Sequence, residues 1–168
     1  VIAYRTFTTN FGDAIVGTVS GTSISFGTKV VFLSDTADWI SATYDSNSQK
    51  VVIAYQDGGN ADYGTAIVGT VSDTSISFGS ATVFESATST KEMSATYDTN
   101  AQKVVIAYED SANSSYGTAV VGTVSGTSIS FGTPVVFESG ITDQISATFD
   151  SNSSKVVIAY RDVDNSNY

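Results

Sequence analysis

Apolar and polar positions alternate along most of the chain, and this pattern predicts β-strands joined by turns. Runs rich in Val, Ile, Thr, Tyr and Phe are separated by clusters of Gly, Asn, Asp and Ser. No segment has the apolar period of an amphipathic helix. In the clearest stretch four runs follow one another, and we label them A (40–45), B (50–56), C (64–72) and D (76–84). We therefore expect an all-β protein.

One segment recurs along the chain. Lys-Val-Val-Ile-Ala-Tyr occurs at 50–55, 103–108 and 155–160, and a shortened copy stands at 1–4. Copies of Val-Ile-Ala-Tyr begin 51, 53 and 52 residues apart. This kind of period is typical of solenoids, propellers and arrays, because a single unit cannot bury its own apolar face. The sequence predicts one array over 1–168 with both ends inside a repeat, as expected of a segment of a longer or processed chain. Its units lie at approximately 1–51, 52–104 and 105–156, with a partial unit at 157–168.

The composition of each run predicts its surroundings. Run B is apolar on both faces, so we expect it in a sheet that lies between two other layers. Runs C and D are joined by a turn in which Gly21, Asp73 and Gly126 are equivalent, and this alternation predicts a positive φ. Other glycines predict bulges or a close approach to a neighbouring element: Gly17, Gly69 and Gly122 in C, with Gly27, Gly79 and Gly132 in D.

The pattern Tyr-Asp-x-x-x-x-Lys-Val-Val-Ile-Ala-Tyr, at 44–55 and 97–108, resembles the inner hairpin of β-propeller repeats. The resemblance implies four-stranded antiparallel blades, with the small residues of run A (Ser41, Ala42 and Thr43) in the crowded innermost strand. The Asp-box of sialidases and the Trp-Asp ending of WD repeats are absent, so no specific propeller family is indicated. A β-solenoid and a tandem sandwich array are the alternatives.

Three blades are too few to close a ring, because propellers use about 4 to 8. The last A–B pair (145–161) could complete a blade with the first C–D pair (12–32), within one chain or across two. We therefore expect the chain to associate with itself, as a homo-oligomer or as part of a longer array.

Composition and charge narrow the function. Seventeen acidic residues against seven basic ones give a net charge of −10, which opposes nucleic acid and anionic lipid as partners. No apolar run approaches the ~20 residues of a membrane helix, so membrane insertion is not expected. The chain has no Cys and no His, which removes zinc sites of Cys and His, thiol nucleophiles and His-based acid–base catalysis. We expect a non-enzymatic protein in an extracellular or cell-surface location.

Two acidic series recur with the repeat. The first would offer calcium the oxygen ligands it prefers, although the same spacing is typical of turns in which Asp caps backbone amides. The second lies between runs B and C, where we also favour turn chemistry. The calcium candidates of the first series are Asp45, Asn47, Asp98, Asn100, Asp150 and Asn152. The second series comprises Asp57, Asn60, Asp110, Asn113, Asp162 and Asn165. No other cofactor is expected.

Unrepeated residues are candidates for a specific site. Trp39, the only Trp, lies beside Asp38 in the predicted loop between runs D and A, and it could stack on a sugar ring or serve in packing. Further aromatic candidates are Tyr63, Tyr116 and Tyr168, as sugar platforms or packing residues, and Phe7 and Phe11, as interface residues. Asn113 and Asn152 begin glycosylation sequons, which have meaning only in a eukaryotic secretory pathway.

These features favour a module for multivalent binding, with glycan binding or adhesion as its role, because repeated weak sites raise avidity. The first alternative is a structural surface or filament-forming protein that assembles through its repeats. The second is a fragment of a propeller glycoside hydrolase, which would need an unrepeated carboxylate pair in different surroundings. The unrepeated acids include Asp13, Glu92 and Asp143.

Overall fold

The computed structural model describes residues 1–86 and 89–165, and strands make up most of them. All strand pairings are antiparallel and the sheets are curled, so the prediction of an all-β fold is confirmed. Two 3₁₀ turns, Gly58–Asn60 and Ser111–Asn113, are the helical elements of these residues, and neither is of a length that crosses a membrane. The strands are β1 (Ile2–Arg5), β2 (Phe11–Ile15), β3 (Gly17–Ser20), β4 (Ser23–Phe26), β5 (Val30–Asp45), β6 (Lys50–Asp57), β7 (Tyr63–Ser72), β8 (Ser75–Phe78), β9 (Thr82–Glu85), β10 (Thr90–Asp98), β11 (Lys103–Asp110), β12 (Tyr116–Ser125), β13 (Ser128–Phe131), β14 (Val135–Asp150) and β15 (Lys155–Asp162).

The strands form four successive layers, and the runs within a layer follow the order A, B, C, D. Layer 1 (residues 2–36) has B, C and D, and layer 4 (142–162) has A and B. Layers 2 (37–85) and 3 (90–141) contain all four runs. Because every run pairs with the next one along the chain, each layer is a simple meander.

The connection from D to A around Trp39, predicted as a loop, is instead part of the continuous strand β5, and the equivalent connection into layer 4 is part of β14. Between layers 2 and 3, β9 ends at Glu85 and β10 begins at Thr90. β5 pairs through its first part with β2 and through its second part with β6. β14 does the same with β12 and β15. The prediction of a loop was wrong because each half of the strand finds a different hydrogen-bonding partner, so the backbone stays extended while it passes between layers.

Two apolar clusters hold the layers together. Ile53 and Tyr55 face the cluster shared with layer 1, and Val52 and Ala54 face the cluster shared with layer 3. All four side chains are fully buried. The prediction that run B lies between two layers is therefore confirmed, because successive residues of a strand point to opposite faces.

The A segments of layers 2, 3 and 4 (37–45, 90–98 and 142–150) lie next to one another. The N–H of Ala95 donates a hydrogen bond to Oγ of Ser41 at 2.9 Å. The N–H of Ala147 donates one to Oγ of Ser94 at 2.8 Å. Small side chains allow this approach, and each serine satisfies an amide of the following layer.

A second contact between layers passes through the D runs. A Cβ built on Gly27 would lie 1.9 Å from the carbonyl oxygen of Thr74, which belongs to the C–D turn of the next layer. A Cβ built on Gly79 would likewise lie 1.9 Å from the carbonyl oxygen of Thr127. The prediction of a close approach at these two glycines is confirmed, because only glycine leaves room for the neighbouring turn. The turn position itself also has the predicted positive φ, with 60° at Gly21, 53° at Asp73 and 61° at Gly126.

Aromatic rings mark each boundary between layers. Phe32 of layer 1 contacts Tyr55 and Phe78 of layer 2, with ring centroids 5.1 and 5.9 Å away. Phe84 of layer 2 contacts Tyr108 and Phe131 of layer 3 at 5.3 and 5.4 Å. The tilted and edge-on arrangements are those that aromatic quadrupoles favour.

We predict that Ser94→Ala lowers the free energy of unfolding by about 1–2 kcal/mol, because the buried-side amide of Ala147 loses its acceptor. Ser146→Ala is the matched control, since Oγ of Ser146 accepts no hydrogen bond from the described residues. It should change stability by less than about 0.5 kcal/mol. Chemical denaturation measures both, and equal effects would contradict a role for the serine in joining layers.

We predict opposite results for two equivalent tyrosines. The hydroxyl of Tyr108 donates to Oε2 of Glu85 at 3.1 Å, whereas the buried hydroxyl of Tyr55 has no partner among the described residues because Leu33 replaces the glutamate. Tyr108→Phe should cost about 1–2 kcal/mol, and Tyr55→Phe should be neutral or stabilising. Thermal unfolding of both variants checks this, and a larger loss in Tyr55→Phe would contradict it.

Candidate functional site

Each A segment contains a β-bulge at the same place. In layer 2 the pairing shifts between Asp38 and Ser41, and the equivalent shift occurs in layers 3 and 4. The bulge residue has a left-handed backbone, with φ of 51° at Trp39, 50° at Glu92 and 51° at Gln144. Non-glycine residues rarely adopt this conformation, and bulky ones do so least. The three bulges share one backbone geometry but carry three different side chains.

These three residues, Trp39, Glu92 and Gln144, form what we call the bulge row. Their A segments are neighbours, and Oε2 of Glu92 accepts a hydrogen bond from the N–H of Gln144 at 3.1 Å. Trp39 is 43% exposed, Gln144 is exposed and Glu92 is half-buried. The row therefore presents an aromatic ring, a carboxylate and an amide from the neighbouring A segments of layers 2, 3 and 4.

Charged residues surround the bulge row. Arg5 forms an ion pair with Asp38 beside Trp39. Nε of Arg161 donates to Oδ1 of Asp143 at 2.7 Å beside Gln144, and a second guanidinium nitrogen bonds the other carboxylate oxygen. In layer 3, Lys91 stands opposite Glu109 in the strand register. The edge is thus polar, with both signs of charge interspersed.

Two unrepeated acids of this edge have pKa values shifted in opposite directions. Burial raises the pKa of Glu92; the N–H of Gln144 lowers it, and the charges of Asp143 and Glu109 raise it further. Hydrogen bonds from Arg161 hold the pKa of Asp143 below its usual range. The fold therefore brings two of the unrepeated acids, Glu92 and Asp143, within electrostatic range of each other.

The other predicted ligand-binding residues lie at the same end of the layers. Tyr63 and Tyr116 begin the C runs, where they pair with Asp57 and Asp110 in the register. Both tyrosines are half-buried. Asp57 is also opposite Ala37, two residues before Trp39, so each C run starts near a bulge. Tyr168 lies outside the described residues.

The calcium candidates lie at the opposite end, in the A–B turns. Oδ1 of Asp45 accepts hydrogen bonds from the N–H groups of Asn47 and Ser48 at 2.9 and 3.0 Å. Asp98 and Asp150 accept the equivalent bonds. This is the geometry of the predicted turns, in which the carboxylate caps backbone amides. Among residues 1–86 and 89–165 no cluster of three acidic side chains could hold a metal ion, and calcium binding stays a prediction.

The second acidic series caps the B–C connection. Asp57 accepts a hydrogen bond from the N–H of Gly59 at 3.1 Å, Asp110 from that of Asn113 at 3.2 Å, and Asp162 from that of Asn165 at 3.2 Å. In layers 2 and 3 this cap begins a 3₁₀ turn. Burial raises the pKa of Asp57 and of Asp110. The hydrogen bonds are those expected from turn chemistry.

Asp13 occupies a separate, fully buried position on β2. Oδ2 accepts a hydrogen bond from Nζ of Lys29 at 2.8 Å and another from Thr6. Burial alone would raise the pKa of Asp13, but these partners outweigh it and hold the pKa below its usual range. Layers 2 and 3 have Thr at the position of Asp13, and Ala or Pro at that of Lys29. The pair is therefore a specific feature of layer 1.

A cleft of about 600 Å³ also lies away from the bulge row. It opens between layers 1 and 2 at the A–B turn end, where Tyr44, Lys50, Val16 and Thr70 contribute to its walls. Tyr44 is 54% exposed, whereas the equivalent Tyr97 is buried between layers 2 and 3. The cleft therefore lies between layers 1 and 2 at the position that is closed between layers 2 and 3.

Arg5, Lys91, Glu109 and Arg161 were not predicted as site residues. Aligned units differ at these positions, while the adjoining Val-Ile-Ala-Tyr is constant. Variation within a nearly constant repeat was the signal that could have found them. The predicted sequon residues Asn113 and Asn152 are exposed in turns, and Phe7 is 93% exposed.

Comparison with protein-family models, with curated proteins and with solved structures finds no match to the chain. The site is therefore interpreted from its own geometry.

We predict that Glu92→Gln and Asp143→Asn change stability in opposite directions at pH 7. The raised pKa of Glu92 means that its charge costs folding free energy above the unfolded pKa of about 4, so removing the charge stabilises. The lowered pKa of Asp143 means that its charge stabilises, and that this contribution is lost as the pH falls through the folded pKa. Urea unfolding at pH 7 and near pH 3 measures both; the differences should shrink at low pH, and equal signs at pH 7 would contradict the assignment.

Proposed function

We propose that the chain is a non-enzymatic binding module of the extracellular space or cell surface, which binds glycans through the bulge row. The observation that carries this proposal is the left-handed backbone at Trp39, Glu92 and Gln144, repeated with a different side chain in each unit. Backbone strain of this kind costs about 1–3 kcal/mol per residue and is concentrated at functional sites. The conformation recurs at the equivalent bulge of three layers, where each layer carries a different side chain.

The chemistry of the edge suits a carbohydrate. An exposed indole ring can stack on the apolar face of a sugar, and Trp39 offers one. Glu92, Gln144 and the charged groups of Asp143 and Arg161 offer acceptors and donors for hydroxyl groups within the neighbouring layers. A few fixed polar groups beside an apolar surface are typical of small-molecule sites.

We propose a β-propeller arrangement for the layers. Its support is the contact between successive A segments through Ser41 and Ser94, which suits inner strands crowded around an axis. In this arrangement each bulge points to the same end of the central channel. Because the three side chains differ, one chain has one composite site, and multivalency would come from association of chains.

The second candidate function is structural, with chains assembling through their end layers. It is favoured by apolar residues of layers 3 and 4 that are more exposed than their equivalents in layer 2: Val121 is 48% exposed where Val68 is fully buried, and Val157 is 50% exposed where Val52 is fully buried. The two candidates are compatible, since an assembly would repeat the bulge row.

We predict that glycans which bind the unmodified chain shift its tryptophan emission, because Trp39 is the only Trp and lies in the site. Trp39→Ala should weaken binding by about fivefold or more, since a stacked ring contributes about 1 kcal/mol or more. Trp39→Tyr, the matched control, should retain most of the affinity because it keeps an aromatic face. Titration of a broad glycan panel, followed by fluorescence and calorimetry, measures this.

Failure of the whole panel to bind would overturn the glycan proposal. Binding that persists in Trp39→Ala would place the glycan elsewhere on the chain. Circular dichroism of each variant confirms that the fold is kept, which is expected because Trp39 is partly exposed.

A further inference from the structure

Two buried hydroxyl groups lie near the A–B turn of layer 2, at the boundary with layer 3. Tyr97 of β10 is 6% exposed, and its ring belongs to the apolar cluster that layers 2 and 3 share. The hydroxyls of Tyr97 and of Ser48, in the turn itself, are both buried and have no hydrogen-bond partner among the described residues. Burying a polar group without a partner is costly, so two such groups at one place indicate a ligand.

A buried carboxylate lies beside the two hydroxyls. Asp45 is 3% exposed, and its Oδ1 caps the amides of Asn47 and Ser48. Burial alone would raise the pKa of Asp45, but Ser48, the turn amides and Tyr97 outweigh burial and hold the pKa below its usual range. The carboxylate is therefore ionised at neutral pH, and both hydroxyls are close to it without being in hydrogen-bonding geometry.

The phenol of Tyr97 faces several groups of the turn. Burial and the carboxylate of Asp45 raise the pKa of Tyr97, whereas the amide of Asn47 and the hydroxyl of Ser46 lower it. The net shift is upward, so the phenol keeps its proton at neutral pH. Ser46 is exposed, so this group of oxygen atoms lies next to solvent and can be reached by a small ligand.

The next boundary has the same turn without these hydroxyls. In layer 3 Asp98 caps its turn with two amide hydrogen bonds of 2.9 and 2.8 Å. Ala101 stands in the place of Ser48, and Phe149 of layer 4 stands in the place of Tyr97. The turn therefore forms without either hydroxyl. Because the two hydroxyls are present together at one boundary and absent together at the other, they serve a common purpose beyond the turn.

We propose that Asp45, Ser48 and Tyr97 bind one hard cation of the calcium type at the boundary between layers 2 and 3. The carboxylate supplies negative charge and the hydroxyls supply neutral oxygen ligands, with water completing the shell that calcium requires. Lys50 stands opposite Asp45 in the strand register, but none of the ion pairs of the described residues joins the two. The charge of Asp45 is thus available to the cation.

This site differs from the one that the sequence predicts in the A–B turns. Asn47 is exposed and contributes its backbone amide to the cap. The tyrosine of the following layer takes its place as a ligand, so the cation joins layer 2 to layer 3. The same two A segments already meet through the hydrogen bond between Ser41 and Ala95. With a single carboxylate we expect weak binding, with a dissociation constant of about 1 mM, as in extracellular calcium modules.

Thermal unfolding of the complete 168-residue chain, first treated with chelator, tests the site. Calcium at ~10 mM should raise the midpoint by about 2–4 °C, because it binds the folded chain alone. Magnesium at the same concentration is the control for general screening of the net charge of −10, and it should raise the midpoint less, since it gives up its water reluctantly. Equal rises with the two ions would overturn the proposal.

Variants that copy the next boundary locate the cation. Tyr97→Phe and Ser48→Ala introduce the residues that the chain already has in the equivalent positions, so the fold should be kept. Each should abolish most of the difference between calcium and magnesium. Asp45→Asn should abolish it as well, and Asp98→Asn is the matched control that should leave it unchanged. A full calcium response in Tyr97→Phe, or equal losses in the two Asp variants, would overturn the proposal.

Transfer of the hydroxyls to the next boundary is the converse experiment. The double variant Ala101→Ser with Phe149→Tyr gives the turn of Asp98 the same oxygen ligands as the turn of Asp45. It should bind a second cation, so that the calcium-specific rise in the midpoint becomes about twice as large. A response no larger than that of the unmodified chain would contradict the role of the hydroxyls as ligands.

Discussion

Face-to-face packing of doubly apolar B strands is the interaction on which the rest of the structure depends. In layer 2 alternate residues of β6 enter two different clusters, so one strand supplies the core on both sides of its sheet. A layer of this kind cannot be stable alone, because it would expose one apolar face or the other. The same requirement brings the A segments together and aligns the D runs with the C–D turns of the next layer. The layers are therefore stable because they stack into an array.

The bulge row is a consequence of that stacking. The strands that pass from D to A, β5 and β14, change partners along their length, and the bulge occurs just after this change, where the backbone turns into the next layer. Because the layers are held by constant residues, the bulge positions can vary without loss of packing, and they hold Trp, Glu and Gln. The fold separates residues that build the array from residues that it displays.

The glycan-binding proposal and the structural alternative depend on different residues. Glycan binding depends on Trp39 and its polar neighbours, which project from the edge of the layers. A structural role depends on exposed apolar residues such as Val121 and Val157. If both hold, association would place several bulge rows on one particle, and avidity would follow from geometry without any new contact to the ligand.

The sequence by itself determined the all-β class, the repeat, the two-faced B strand, the positive φ of the C–D turn and the role of the D-run glycines. Each depends on local chemistry that a residue carries with it, such as alternation of apolar positions or the absence of a Cβ. Tertiary structure alone decided that D continues into A as one strand in β5 and in β14, because the different partners of their two halves satisfy that backbone. It also decided that Glu92, Asp143 and Arg161 meet at one edge, since residues far apart in the chain become neighbours only when the layers stack.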